Sequence, residues 1–69
     1  MPAVTNAGQA IKIAKQIIND AGYFVAQISS VEFDEKDGIW EVEAYSADIN
    51  IHIQIDADDG EVTDFSTES

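Results

Sequence analysis

Isoleucine stands at positions 49, 51, 53 and 55, with Asn50, His52, Gln54 and Asp56 in the places between and after. Successive side chains of an extended chain point to opposite faces, so this run is a strand with one apolar and one polar side. Four β-branched residues at strict period two suit a pleated, half-buried surface. Such a strand is not stable alone: it needs hydrogen-bonded neighbours and a layer that covers its isoleucines. The remainder of a 69-residue chain must supply both.

Neighbours come from two further alternating segments. Val31 and Phe33 lie between Ser30, Glu32 and Asp34, and Trp40, Val42 and Ala44 alternate with Glu41, Glu43 and Tyr45. The spacing predicts strands over 28–34, 39–46 and 49–56, with a short terminal strand over 61–65. Asp37-Gly38 and Asp59-Gly60 mark turns, because Asp-Gly tolerates the positive φ of tight hairpins, and Ser46 to Asp48 is a shorter polar break. Links this short make neighbouring strands antiparallel. Ser66 to Ser69 is expected to fray.

The cover comes from upstream. Ala7, Ala10, Ile11, Ala14, Ile17, Ile18 and Ala21 repeat at spacings of three and four, the stripe of an amphipathic helix over 7–21. Asn6 with Gln9 three residues on gives an N-cap and a capping-box partner, and Gly22 stands at the left-handed closing position. Lys12, Lys15, Gln16, Asn19 and Asp20 fall on the exposed side. The fold expected is therefore α+β: one N-terminal amphipathic helix packed on a three- to four-stranded antiparallel meander sheet, as a single domain. Leucine is absent and isoleucine takes its place, for which there is no physical account.

Hydrophobic residues make up 45% of the chain, which takes it out of the disordered class despite its charge. Fourteen acids against three lysines and no arginine give a net charge of −11. That charge repels phosphate backbones and anionic headgroups, so neither nucleic acid nor a membrane surface is an expected partner. Cysteine is absent, which removes thiol chemistry and disulfides. Met1 to Gly8 carries no basic residue and no apolar targeting run, so the chain as it stands is expected in the cytoplasm, or outside it if a signal peptide has been trimmed. A single core this small rarely gives more than roughly 3 to 5 kcal/mol, and a homodimer paired at a sheet edge is compatible with that margin.

Groups with chemical potential are few. Asp56-Ala57-Asp58-Asp59-Gly60-Glu61 has the look of a calcium loop, but its glycine is fifth rather than sixth and Thr67 occupies the place of the closing glutamate. A hairpin turn accounts for it better. His52 on the polar side of its strand can meet Glu41 or Glu43 from a neighbour, a pairing that reads as a solvent-facing contact. Ser29 and Ser30 lie on a different strand, so no nucleophile is expected beside it. Paired carboxylates on one open face lack a cleft for glycoside chemistry. No catalytic residue, metal or cofactor is expected, and the chain is read as a binding module. Tyr45, of opposite parity to the apolar row and beside Glu41 and Glu43, is the exposed aromatic to watch, with Tyr23 and Phe24 after the helix. Trp40 shares parity with Val42 and Ala44 and belongs to the core.

In order and spacing, Ala10-Ile11-Lys12-Ile13-Ala14, Ile28-Ser29-Ser30-Val31-Glu32-Phe33, Trp40-Glu41-Val42-Glu43-Ala44 and Ile53-Gln54-Ile55-Asp56-Ala57-Asp58-Asp59-Gly60-Glu61-Val62 together resemble a PepSY domain. The likeness runs from about Gln9 to Phe65. PepSY domains occur in propeptides of thermolysin-like metallopeptidases and in many secreted or membrane-attached proteins. The resemblance implies a non-catalytic module that binds a protein or peptide partner, a peptidase among them, and inhibits or regulates it. Partner contacts are then expected from Tyr45, Glu41, Glu43, His52, Tyr23 and Phe24. A weaker likeness is to accessory gas-vesicle proteins of the O type, although their basic, aromatic ending is replaced here by Phe65-Ser66-Thr67-Glu68-Ser69. An acidic ion-binding or salt-adaptation domain is the remaining alternative.

Overall fold

The structure is a computed structural model and describes residues 3–23 and 26–69. One helix, α1 (Ala7–Asp20), is followed by four strands, β1 (Gln27–Asp34), β2 (Ile39–Ser46), β3 (Ile49–Asp56) and β4 (Val62–Glu68). The strands form one antiparallel meander in the order β1-β2-β3-β4. This is the expected α+β architecture with its fourth strand present.

Asn6 caps the helix in extended conformation, its Oδ1 accepting from the Gln9 N–H at 2.9 Å. The reciprocal arm reaches one residue further back than a capping box requires: Gln9 Oε1 accepts from the Thr5 N–H and hydroxyl rather than from Asn6. At the other end Gly22 has φ +98 and donates to the Asn19 carbonyl, while the Tyr23 N–H donates to that of Ile18. That pair of bonds is a Schellman closure, which only the left-handed Gly22 makes easy. Ala21 is the C-cap and exposed rather than part of the buried stripe.

Ala10, Ala14 and Ile18 are the buried line of the helix and share one core with Val42, Ala44, Ile51, Ile53 and Ile55 of the central strands, and the two alanines let the helix approach β1 and β2 closely. Ile13 joins this contact, while Ile11 and Ile17 are half-buried. Val4 is 2% exposed, a core member contributed by the segment before the helix. Its amide donates to the Ala57 carbonyl, the Ala3 amide to that of Asp58, and its own carbonyl receives the Trp40 indole N–H at 3.2 Å. The leading segment thus clasps β2 to the β3–β4 turn. No polar or charged side chain is buried among the described residues.

Both outer strands carry a bulge. Ile28 pairs with Ala44 and Ser30 with Glu43, leaving Ser29 extra, and Gln54 pairs with Asp64 but Ile55 with Val62, leaving Thr63 extra. Each bulge keeps two apolar residues spaced by three, Ile28 and Val31 or Val62 and Phe65, packed against the core. The tail does not fray where expected: β4 continues to Glu68, which pairs with Asn50. Between β2 and β3 the hairpin is two residues, Ala47 and Asp48, with Ala47 held at φ +54.

Candidate functional site

The helix covers one side of the sheet, and the other side is open. Parity places the polar residues of the four strands on this outer face in cross-strand rows. One row is Ser30, Glu43, His52 and Ser66; the next is Glu32, Glu41, Gln54 and Asp64. Tyr45 lies in a third row, opposite Gln27 on one side and Asn50 on the other. The right-handed twist of the sheet hollows these rows into a shallow trough of about 400 Å³.

Four carboxylates line the trough, Glu32, Glu41, Glu43 and Asp64. Glu32 and Glu41 are direct cross-strand partners, with Glu43 two residues along β2 and Asp64 opposite Gln54. The lysines lie elsewhere, Lys12 and Lys15 on α1 and Lys36 in the β1–β2 turn. Neutral donors give limited compensation: the Ser30 hydroxyl donates to Glu43 Oε2 at 3.3 Å and the Gln54 amide to Glu41 Oε1 at 3.4 Å. His52 stands across from Glu43 rather than Glu41, with Nδ1 3.6 Å from Glu43 Oε1. Both side chains are about half exposed, so the pairing is a screened surface contact.

Tyr45 is 43% exposed and donates its hydroxyl to Gln27 Oε1 at 2.8 Å. It projects from the same wall as Glu41 and Glu43, as its parity required. Tyr23 has another place: it is half-buried against the core at the helix closure. Phe24 lies outside the described residues. The structure adds Phe33, 44% exposed at the end of β1 although it alternates in step with Val31. Its ring tilts against that of Trp40, its cross-strand partner, at 4.9 Å between centroids. Trp40 itself is half-buried against the core.

A hydroxyl does stand beside His52. Ser66 of β4 is its direct neighbour, so Ser66, His52 and Glu43 follow in the order of a nucleophile, base and orienting acid. No Ser66 to His52 hydrogen bond forms among the described residues, and all three lie on an exposed face. Activation of a serine needs that hydrogen bond and an oxyanion site beside it. The sequence reading missed Ser66 because it ended the last strand at Phe65.

The acidic turn uses its carboxylates on its own backbone. Asp56 Oδ1 accepts from the Asp58 N–H and Asp59 Oδ1 from the Glu61 N–H, while Gly60 at φ +76 donates to the Asp56 carbonyl. These are Asx turns, which fix hairpin geometry. Among the described residues no group of three or more histidine, aspartate or glutamate side chains is placed to hold a metal, and no helix is long and apolar enough to cross a membrane.

Fold and face define the class as a small acidic helix-on-sheet domain with an uncovered carboxylate face. No family model, curated protein or solved structure matches the chain.

Proposed function

We propose that the chain is a non-catalytic protein-binding module of PepSY type, whose outer sheet face takes an extended basic segment of a protein partner. The observation that carries this reading is the spacing of carboxylates along β2. Glu41 and Glu43 are two residues apart on one face, which in a strand is about 7 Å. Alternate side chains of an extended peptide repeat at that same distance, so lysines or arginines at every second position fall in step with these acids. Glu32 and Asp64 flank them on the adjoining and outer strands.

The face is favoured over the sheet edges. A bulge interrupts the free hydrogen-bonding row on both β1 and β4, and bulges of this kind oppose strand addition. On the PepSY resemblance, the first partner to try is a peptidase, held and inhibited through such a segment.

A calorimetric titration with an acetylated peptide of alternating lysine and alanine tests the reading. Two exposed ion pairs lost together, at about 0.7 kcal/mol each, correspond to roughly tenfold in affinity. The double change Glu41→Gln and Glu43→Gln should therefore weaken binding by about that factor at low salt. Binding of equal strength in the double variant would remove the face from the account.

A further inference from the structure

Beyond Glu43 the outer row of β2 changes its chemistry. Glu41, Glu43 and Tyr45 occupy alternate positions of one strand, so their side chains leave the same face about 7 Å apart. The first two offer carboxylates and the third offers a ring. Tyr45 is 43% exposed, and its cross-strand neighbours, Gln27 on β1 and Asn50 on β3, are both neutral. A cation arriving at this third position meets no directly opposed carboxylate, only the aromatic ring.

That ring is held in place. Its hydroxyl donates to Gln27 Oε1 at 2.8 Å, which ties the outer end of the side chain to β1. The charge around it is negative: Glu43 lies two residues along β2, and Glu68, the partner of Asn50 on β4, stands in the same cross-strand row. A tethered ring in such a surround attracts a cation to its electron-rich face. The two basic side chains differ there. The lysine ammonium is compact and strongly hydrated, whereas the arginine guanidinium is planar, more weakly hydrated and stacks on an aromatic ring.

We propose that Tyr45 is a specificity-determining residue of the outer face: the extended partner segment carries a third alternating basic position, next to the two that meet Glu41 and Glu43, and that position is an arginine stacked on the Tyr45 ring. The inference rests on the face reading above and adds to it a distinction between arginine and lysine.

The test compares two acetylated, amidated peptides, Arg-Ala-Lys-Ala-Arg and Lys-Ala-Lys-Ala-Lys, by calorimetric titration at low salt and by proton spectra. Arginine at both ends serves a segment running in either direction along β2. The arginine peptide should bind about two- to fivefold tighter, the gain of a cation on an exposed ring. The ring current of Tyr45 should also move the δ-methylene protons of one arginine upfield. Tyr45→Leu should erase both the preference and the upfield shift, whereas Tyr45→Phe, which keeps the ring, should retain them. Equal affinities for the two peptides, or a preference that survives in Tyr45→Leu, would overturn the role of Tyr45 and leave the face reading standing, provided the Glu41 and Glu43 amides still respond. Silence of those amides with both peptides would overturn both.

Discussion

Glu32 and Glu41 face each other across β1 and β2 on the outer side of the sheet, a like-charged pair on a face without lysine. Directly opposed like charges oppose strand pairing by about 0.2 to 1 kcal/mol. A chain shaped for stability alone would place a cation at one of the two positions. Glu32→Lys is expected to raise the urea midpoint by a free energy of that order with an unchanged m-value, while weakening binding of the alternating lysine peptide. Equilibrium unfolding and a titration on the same variant check both halves.

The same repulsion acts over the whole molecule, which carries a net charge of −11. Raising ionic strength from about 0.01 M to about 0.15 M shortens the Debye length from about 30 Å to about 8 Å, so folding should become more stable. Peptide binding should weaken over the same range. Opposite salt slopes for stability and affinity are the signature, read by thermal melts and titrations in parallel.

Ala47 occupies the first position of a two-residue hairpin at φ +54, a region that non-glycine residues enter at a cost of about 1 to 3 kcal/mol. Part of that cost is offset by the lower entropy of alanine in the unfolded chain. Ala47→Gly should therefore stabilise the domain by about 1 kcal/mol, measured by chemical denaturation, and leave peptide affinity unchanged.

Val4 is a core residue delivered by the segment before the helix, and its carbonyl holds the Trp40 indole. Val4→Ala should cost about 1 to 3 kcal/mol through the cavity it leaves. Removing residues 1–5 takes away the side chain and the Trp40 partner together, so Trp40 emission should move to the red even where the sheet remains folded.

Ser66, His52 and Glu43 lie in one cross-strand row, but the serine lacks the hydrogen bond that would activate it. Hydrolysis of an activated acetyl ester should therefore run at the same rate in Ser66→Ala as in the unaltered chain. A serine-dependent rate above that background would contradict the non-catalytic reading.

Much of the fold was legible because each element carries its own period. The isoleucines of β3 alternate without a break, and Ala10, Ala14 and Ile18 mark the helix face. What escaped were features that break a period or depend on distant chain. Ile28 to Val31 and Val62 to Phe65 are spacings of three, the trace of a bulge, but a simple count of two discards one residue of each pair. Stopping the last strand at Phe65 hid Ser66 and the pairing of Glu68. Val4 has no periodic neighbours, so only its contact with Ala57 and Trp40 shows it to be core. Of the residues expected to make partner contacts, Glu41, Glu43, His52 and Tyr45 share the outer face because strand parity decides that by itself. Tyr23 is half-buried because the Schellman closure turns it toward the core, and no period shows that Phe33 at the end of β1 is left exposed.

The most direct test of the central claim is a nitrogen–proton correlation spectrum of the whole chain, titrated with the alternating lysine peptide at low salt. The account predicts saturable shifts grouped on Glu32, Glu41, Glu43, His52, Gln54 and Asp64, reversed by added salt, with the exposed side of α1 unmoved. Shifts centred on the helix, or no saturable shift at any peptide concentration, would contradict it.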